Sequence, residues 1–289
     1  MHGTTKPPEG TVLVLDIGNT RLKWAYVVDG ALVEHAEATY TVPQIPKILD
    51  KRWTPSKPPP KSPLKPPHRV VVSNVGKPGI ADAISQWTQE HWALQVEYVE
   101  VEREAWGITC AYRDYGVFGA DRWLALIAAH KKCQGPVCVV DCGTALTVDA
   151  LASDGKHLGG LIVPGIGLMR KTLSRGAERI GNISKSNTSQ NGAMSATAQN
   201  IWLGRSTQEC VMAGTMWAAV AFIDRVVADL EAELHQRVTC ILAGGDAQAV
   251  CPLLTREATC EPDLVLQGLA VVAGGRNNAE SPSEKRAGN

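Results

Sequence analysis

The sequence has no excess of charge of either sign. Lysine plus arginine and aspartate plus glutamate each total 29 of the 289 residues, so the formal net charge is zero. Proteins that bind nucleic acid or anionic membrane surfaces through general electrostatics normally carry a basic excess. The composition therefore argues against a nucleic-acid partner and against a membrane-surface role.

Two common nucleotide-binding signatures are also missing. The chain contains no G-x-x-x-x-G-K-[ST] loop and no G-x-G-x-x-G fingerprint. A P-loop fold or a Rossmann fold therefore loses its main support. If the protein binds a nucleotide, its phosphates must be held by a different loop.

Marks of export are lacking as well. Residues 1–10 are polar, with no apolar core of a signal peptide, and the longest nearly apolar run, residues 213–223, is too short to span a bilayer. The eight cysteines show no metal-ligand spacing, which in a chain without an export signal indicates reduced thiols rather than a disulfide framework. We expect a cytoplasmic protein with no membrane partner.

Three segments read as loops or tails. Residues 54–67 are dense in proline and lysine, which favours a solvated extended loop, with a PxxP ligand for an SH3-type domain as the less favoured interpretation. Residues 181–200 are polar and predict a mobile surface loop, and residues 276–289 form a polar tail.

An internal repeat is the most informative feature. Residues 11–33 and 136–158 align without gaps at a constant offset of 125, and seven positions are identical, among them Asp16 with Asp141 and Gly18 with Gly143. Each copy reads as a buried strand ending in aspartate, a glycine turn, a second strand and then Asp-Gly. Because Asp-Gly favours two-residue hairpins, we expect such turns at residues 29–30 and 154–155.

The remaining patterns predict helices and strands around the two copies. We expect strands at 69–73, 95–99 and 238–242, helices at 119–132 and 206–234, and a helix at 165–173 whose entry is marked by Pro164. Ser206 and Glu209 form a capping-box pattern at the start of the long helix. Sheets covered by helices in two related halves indicate an α/β protein with a cleft between them.

The paired turns suggest phosphate chemistry. Residues 16–20 and 141–145 each put a carboxylate at a strand end, followed by a glycine turn whose backbone N–H groups can face a ligand. Two such turns could hold a polyphosphate while Asp16 and Asp141 hold cations. One Asp-x-Gly turn alone would be an ordinary hairpin, and a duplicated scaffold without a ligand remains the alternative.

Three further motifs have both a functional and a purely structural interpretation. Asp121 and Arg122 open a predicted helix, where aspartate is often favoured only by the helix dipole, but the pair could also accept a hydroxyl proton and bind a carboxylate. The glycines of 159–165 and of 244–246 could admit a ligand close to the backbone or could simply form tight turns.

Together these motifs resemble the type III pantothenate kinases, the family that includes Bvg accessory factor. The motifs are Asp16-x-Gly-Asn-Thr20, Gly119-x-Asp121-Arg122, Asp141-x-Gly-Thr-Ala145, Gly159-Gly160-x-Ile-x-Pro164-Gly165 and Gly244-Gly245-Asp246, and the match runs over residues 11–275. The resemblance implies an α/β fold of two ribonuclease-H-like domains of the acetate and sugar kinase/Hsp70/actin superfamily, related by internal duplication. Their expected bounds are 11–118 and 119–275, with flexible tails at 1–10 and 276–289.

The resemblance also implies an activity and a site. It implies ATP-dependent phosphorylation of pantothenate, the first step of coenzyme A synthesis, with Asp121 as general base and Arg122 as carboxylate anchor. Further substrate contacts are expected from Gly119, Ala120, Tyr112, Thr207 and Gly160. ATP would lie against Asp16, Gly18, Asn19, Thr20, Lys23, Gly143, Thr144, Gly244, Gly245 and Asp246.

The implied cofactors are Mg²⁺ with ATP, held at Asp16 and Asp141, and a monovalent cation, K⁺ or NH₄⁺, near Asp141. The implied assembly is a homodimer whose pantothenate site is completed by the partner chain. The chain departs from the family pattern at Cys110, where asparagine is expected, and at Tyr115, where proline is common. The alternatives are another phosphotransferase or hydrolase of the same superfamily, such as a sugar or acetate kinase or a polyphosphate phosphatase, and a non-catalytic accessory protein.

Overall fold

The structure is a computed structural model that describes residues 10–53, 66–176 and 202–275. The predictions made for residues 181–200 and 276–289 lie outside these residues, as do nearly all of residues 1–10 and 54–67. The eight cysteines, all within the described residues, are free thiols.

The first half is built on a five-stranded sheet with the order β3-β2-β1-β4-β5. Its strands are β1 (Val12–Ile17), β2 (Arg21–Val28), β3 (Ala31–Thr39), β4 (Arg69–Asn74) and β5 (Val96–Tyr98), and helices α1 (Ile45–Trp53) and α2 (Ile80–Trp92) cover it. Strands β1, β4 and β5 are parallel, whereas β2 and β3 are antiparallel to their neighbours. The strands predicted at 69–73 and 95–99 are confirmed.

The second half repeats this plan. After a short hairpin of β6 (Glu104–Ala105) and β7 (Ile108–Thr109) come α3 (Ala120–Lys132), β8 (Val137–Cys142), β9 (Ala145–Leu151), β10 (His157–Pro164), α4 (Ile166–Gly176), α5 (Thr207–Leu234), β11 (Thr239–Ala243), α6 (Ala247–Val250), β12 (Thr259–Cys260) and α7 (Leu264–Ala273). The second sheet has the order β10-β9-β8-β11-β12, which is the order of the first sheet with each strand replaced by its counterpart. The predicted duplication is therefore confirmed.

The two copies differ by one residue at the first turn. The last paired residues before it are Ile17 with Leu22 in the first half and Cys142 with Leu146 in the second. Four residues thus separate the paired ends in the first half and three in the second. As a result, an alignment without gaps is one residue out of step after this turn.

The second turn of each copy also differs. Asp29 and Gly30 form the predicted two-residue hairpin, with φ of 51° and 78°. The same prediction at 154–155 is wrong, because β9 and β10 are joined by residues 152–156 and, of this Asp-Gly pair, only Gly155 has a positive φ, at 81°. A longer link relieves the aspartate of the left-handed conformation that a two-residue turn would require.

Helices α3 and α7 pack against each other, and α7 also contacts β1, β2, β3 and β4 of the first sheet. A side chain at Gly268 of α7 would overlap the carbonyl of Leu124 in α3, so glycine allows the two helices to approach closely. Trp123 of α3 is fully buried in the hydrophobic core that both sheets share with these helices. The domain bounds 11–118 and 119–275 stay a prediction.

The long helix α5 begins where its capping pattern predicts. Ser206 Oγ accepts the N–H of Glu209, while the Glu209 carboxylate accepts the N–H of Arg205 rather than that of Ser206. By length and composition α5 could cross a bilayer, but eight of its residues are buried, several of them in the core of the second half. Its apolar character is thus accounted for by a core position. The helix predicted at 165–173 is confirmed as α4, and Pro164 lies just before its start, where it also ends the edge strand β10; an edge strand tolerates proline.

Candidate active site

A cleft of about 370 Å³ lies between the two halves and is lined by the paired turns. Thirteen of the predicted site residues line it: Asp16, Gly18, Asn19, Thr20, Lys23, Asp121, Arg122, Asp141, Gly143, Thr144, Gly244, Gly245 and Asp246. Strands β1 and β8 bring the turns together because both strands end at this edge of their sheets. Residues that are more than a hundred positions apart in the chain thus share one cavity.

Asp16 lies near the end of β1, directly opposite Lys23 on β2. Its Oδ1 atom is buried and has no hydrogen-bond partner among the described residues. Burial, followed by repulsion from Asp121 and Asp141, raises the pKa of Asp16 to about 7, although Lys23 acts in the opposite direction. A buried carboxylate oxygen without a partner is costly unless a cation or a proton is supplied.

Asp141 occupies the matching position in the second half. Burial and the neighbouring Asp121 raise its pKa to about 6, while Lys23 lowers it. Gly244 packs against it with φ of 88°, and a Cβ there would overlap the Asp141 carboxylate and the Cys142 backbone. Only glycine fits both the backbone angle and this close approach.

The carboxylates of the cleft fit a hard cation carried by a ligand. Among the described residues no group of three or more histidine, cysteine, aspartate or glutamate side chains is arranged to hold a metal by itself. Mg²⁺ is usually held by one or two carboxylates together with substrate phosphates and water. The unpartnered Oδ1 of Asp16 and the raised pKa of Asp141 agree with such a shared site.

Asp121 stands in the first turn of α3, whose N-cap is Gly119. Its Oδ1 accepts the N–H of Arg122 at 2.8 Å. Burial raises the pKa of Asp121, and the hydrogen bond from the Arg122 backbone only partly opposes this effect. Gly119 and Ala120 begin the helix and place this carboxylate at the cleft; they do not line the cavity themselves.

The Arg122 guanidinium is held on several sides. Its Nε and Nη2 atoms donate to the two oxygens of Asp149 at 2.7 Å each, and Nη1 donates to the hydroxyl of Tyr112 at 3.0 Å. The guanidinium carbon lies 4.6 Å from the centre of the Phe118 ring. Of the five N–H donors on a guanidinium, these contacts occupy three, so two remain.

The other predicted substrate residues lie outside the cavity. Tyr112 reaches it through Arg122, and a side chain at Gly160 would overlap both Asp149 and the Arg122 guanidinium. Thr207 lies at the start of α5 on a second cavity of about 590 Å³ between α4 and α5. It does not line the cleft of its own chain.

Several cleft residues were not predicted from the sequence. Asp149, Arg21 and Asp263 line the cavity, and His157 bonds to Asp149 with 3.1 Å between Nε2 and Oδ1. The alternation of β9 as Ala-Leu-Thr-Val-Asp carried one signal, since it puts Asp149 on the same strand face as Thr147. No pattern linked Asp149 to an arginine 27 residues earlier in the chain.

Comparison of the sequence with known proteins shows a family, and comparison of the structure with solved structures shows a fold. A family model described as type III pantothenate kinase matches residues 12–229. The chain is 38% identical to a type III pantothenate kinase of Nitrosococcus oceani over 267 residues, covering 91% of this chain and 93% of the relative. It is 33% identical to one from Nitrosospira multiformis over 274 residues, covering 94% of each.

Among solved structures, the chain is similar to a putative 2-dehydro-3-deoxygalactonokinase from Sinorhizobium meliloti, with a TM-score of 0.54, 13% identity and coverage of 95% of this chain and 100% of that one. It is also similar to the ethanolamine utilization protein EutJ from Carboxydothermus hydrogenoformans, with a TM-score of 0.52, 13% identity and coverage of 93% and 91%. At this identity the likeness shows the fold alone. It agrees with the duplicated sheets, and the predicted two-domain ribonuclease-H-like fold is confirmed.

Proposed function

The chain belongs to the type III pantothenate kinase family, and from that premise we propose that it transfers the terminal phosphoryl group of ATP to the primary hydroxyl of pantothenate. The observation that carries the proposal is the single cleft in which two carboxylate turns face Asp121 and Arg122. This reaction is the first step of coenzyme A synthesis, and we place the enzyme in the cytoplasm.

In this proposal Asp121 accepts the proton of the attacking hydroxyl. A general base works best when its pKa lies near the working pH, and burial moves the pKa of Asp121 in that direction. Its position between the paired turns is where a hydroxyl could meet a bound polyphosphate. The hydrogen bond from the Arg122 backbone fixes the carboxylate orientation.

The two turns would hold the phosphates. The N–H groups of Gly18 and Gly143 close the turns on the carbonyls of Arg21 and Ala145, at 3.0 Å and 3.1 Å. The backbone N–H groups of Asn19 and Thr144, together with the Thr20 hydroxyl, can face phosphate oxygens in the cleft. Mg²⁺ would be held at Asp16 and Asp141, where it would neutralise charge on the transferred group. We propose K⁺ or NH₄⁺ near Asp141 as a second cation.

The adenosine and the pantothenate would lie on opposite sides of these phosphates. The adenosine would border Gly244, Gly245 and Asp246, which line the cleft. The pantothenate carboxylate would take the two N–H donors of Arg122 that no other side chain occupies. Tyr112 would border the same subsite.

We also propose a homodimer formed through the face that carries Thr207. The edge strand β10 and the helix α4 expose apolar side chains on this half: Leu158, Leu161, Ile162, Leu168 and Leu173. The second cavity, between α4 and α5, is also mainly apolar in its lining. Exposed apolar patches of this kind mark interfaces, and a second copy seated here would explain why Thr207 does not reach the cleft of its own chain.

A coupled ADP-release assay with ATP, Mg²⁺ and K⁺, run with and without pantothenate, tests the activity. We expect ADP release that depends on pantothenate, with 4′-phosphopantothenate confirmed by mass. Release that is independent of pantothenate would indicate another substrate or hydrolysis. No release from folded protein would favour a non-catalytic accessory role.

Light scattering after size exclusion tests the assembly. We expect a dimer for the unaltered protein and a monomer for Ile162→Lys, because a charge on the edge strand opposes a second copy. Lys156→Glu changes the charge of an exposed residue in the preceding turn and serves as the control. A monomer for both the unaltered protein and Ile162→Lys would contradict the proposed dimer.

A further inference from the structure

Asp149 is a buried carboxylate in the lining of the cleft, and both of its oxygens are turned to Arg122. Both of its oxygens accept hydrogen bonds from Arg122, and the side chains of Asp149 and Arg122 are only 4% and 9% exposed. Asp149 accepts two hydrogen bonds from Arg122, the proposed carboxylate anchor, whereas Tyr112 accepts one. A buried ion pair of this kind is weak evidence for stability as such, since desolvation offsets its attraction.

His157 holds Asp149 from the other side. Its Nδ1 atom accepts the N–H of Ala111 at 3.4 Å, so we assign the proton to Nε2, which then donates to Asp149 Oδ1 at 3.1 Å. The imidazole is fully buried and lies nearly parallel to the Tyr112 ring, with the ring centres 6.1 Å apart. His157 thus links the β10 strand, the Tyr112 segment and the Asp149 carboxylate.

The arrangement leaves Arg122 little freedom. Asp149 fixes the plane of the guanidinium, Phe118 covers one of its faces, and Tyr112 takes one N–H of Nη1. What remains is a pair of N–H donors, on Nη1 and Nη2, in a fixed geometry. An arginine that its neighbours already hold in place loses less conformational entropy when a carboxylate binds.

We propose that Asp149 and His157 are positioning residues that hold the Arg122 guanidinium in the one orientation that binds the substrate carboxylate. The inference rests on the proposed function, because it takes pantothenate as the ligand of Arg122. Neither residue touches the substrate in this account. Their effect is on the affinity for pantothenate and not on the transfer of the phosphoryl group.

The first test is Asp149→Asn. The amide keeps the shape of the side chain but loses the charge and one of the two acceptors, so the charge-assisted pair with Arg122 is broken. We expect the KM for pantothenate to rise roughly 10-fold to 100-fold, the range of coupling between contacting charged residues. The kcat and the KM for ATP should stay within about twofold, since the phosphate turns are untouched.

A double-mutant cycle with Arg122→Lys separates positioning from general structural support. Lysine cannot form the two-point contact with Asp149. If Asp149 acts through Arg122, adding Asp149→Asn to the Arg122→Lys protein should raise the KM for pantothenate by a further factor of less than about three. If the increases in KM of the two single variants simply multiply in the double variant, the proposal is overturned.

His157 offers a matched pair of variants. Glutamine can place an N–H donor near the position of Nε2, whereas leucine fills the space without a donor. We expect His157→Gln to keep most of the affinity for pantothenate and His157→Leu to lose it to about the extent of Asp149→Asn. Asp154→Asn, an exposed aspartate in the turn between the same two strands, is the control and should change neither constant.

These experiments distinguish the positioning role of Asp149 from the proposed function of the protein. Pantothenate-dependent activity in the unaltered protein, with no change of KM in Asp149→Asn, would overturn the positioning role and leave the proposed function standing. No pantothenate-dependent activity in the unaltered protein would overturn both. A fall in kcat and in melting temperature with an unchanged KM would show that Asp149 serves stability alone.

Discussion

The two halves of the protein share a sheet but differ in what faces their carboxylates. Asp16 and Asp141 occupy the same position near the end of the central strand. Across the hairpin, Asp16 is paired with Lys23, whereas Asp141 is paired with Thr147. A one-residue difference in the turn places a cation opposite the first carboxylate and a neutral hydroxyl opposite the second.

The surroundings of the two turns differ in the same sense. In the first half, Asn19 and Thr20 are exposed, and the hydroxyl of Tyr40 donates to the Gly18 carbonyl from below. In the second half, the Gly165 N–H donates to the Thr144 carbonyl at 3.0 Å, and the Asp246 N–H donates to the Cys142 carbonyl at 3.0 Å. Thr144 is exposed like Asn19 and Thr20, and the Val75 N–H donates to the Ile17 carbonyl at 3.0 Å as the counterpart of the Asp246 bond. The turns differ in that a side-chain hydroxyl bonds to the first and the Gly165 backbone bonds to the second.

This difference suggests a division of labour after duplication. The first turn offers an unpartnered carboxylate oxygen and a lysine, which suit a metal and phosphates. At the second turn the backbone of Gly165 and Gly244 approaches closely, which suits positioning. Variants of the cleft residues test that division, and the first of them concerns Asp121, a carboxylate that belongs to neither turn.

The largest effect is expected at Asp121. Asp121→Asn should lower kcat by about 10² or more, the usual cost of losing a general base, while the affinity for ATP changes little. Steady-state kinetics with a separate measurement of nucleotide binding will show this. Asp82→Asn, which alters a first-turn aspartate of α2 far from the cleft, should have no effect on kcat. Near-normal turnover of Asp121→Asn would leave the residue with a helix-dipole role only.

The next effect compares the two repeated aspartates directly. Asp16→Asn should lower kcat/KM for ATP by roughly 10² and raise the Mg²⁺ concentration needed for half-maximal rate, because it removes the negative charge and one of the two oxygens of this carboxylate. Asp141→Asn should cost only about tenfold. A Mg²⁺ titration of the two variants measures the ratio. Equal losses would contradict the proposed division of labour.

The close packing beside the second turn can be tested at Gly244. Gly244→Ala should lower the free energy of unfolding by about 2 to 4 kcal/mol, because a side chain both strains the positive φ and overlaps Asp141. Gly30→Ala meets the same backbone strain with nothing within 4 Å and should cost about 1 kcal/mol. Denaturant unfolding of both variants gives the difference. A similar cost at the two sites would mean that the close approach at Asp141 is unimportant.

The smallest effect is a pH dependence of stability. The pKa of Asp16 rises from 3.8 to about 7 in the folded protein, so the folded state retains a proton that the unfolded state releases. Its contribution is therefore present at acid pH and is lost as the pH rises through about 7, by on the order of 1 to 3 kcal/mol. In the absence of nucleotide and Mg²⁺, we expect Asp16→Asn to gain stability relative to the unaltered protein between pH 5 and pH 8, by about that amount. Parallel stability curves would contradict the raised pKa.

Local patterns predicted much of the fold. The strands at 69–73, 95–99 and 238–242 and the helix at 119–132 lie within one or two residues of the observed bounds. Helices α1, α2, α6 and α7 were not predicted. In α7 the sequence Leu-Val-Leu-Gln-Gly-Leu-Ala-Val-Val-Ala is apolar on nearly all sides, so it carries no amphipathic period to distinguish it from a buried strand.

The candidate site divides in a similar way. Thirteen predicted residues line one cleft, and eight of them lie in the two copies of the repeat, whose turns the sequence already paired. Asp121, Arg122 and residues 244–246 lie outside the repeat, and only the resemblance grouped them with it. Thr207 could not be placed from the sequence, since the position of α5 relative to the cleft depends on packing. The form of the second hairpin could not be predicted either, because β9 and β10 are joined by residues 152–156 and not by the Asp-Gly pair alone.

What the sequence by itself determined is local: two strands with an aspartate near their ends, two glycine turns and a helix with Asp121 in its first turn. These follow from alternation, backbone freedom at glycine and hydrogen bonds between near neighbours. Only the tertiary structure decided that Arg122 binds Asp149, and that Lys23 faces Asp16 while Thr147 faces Asp141. Those pairings depend on strand register and on helix packing, which bring together groups that no short-range pattern connects.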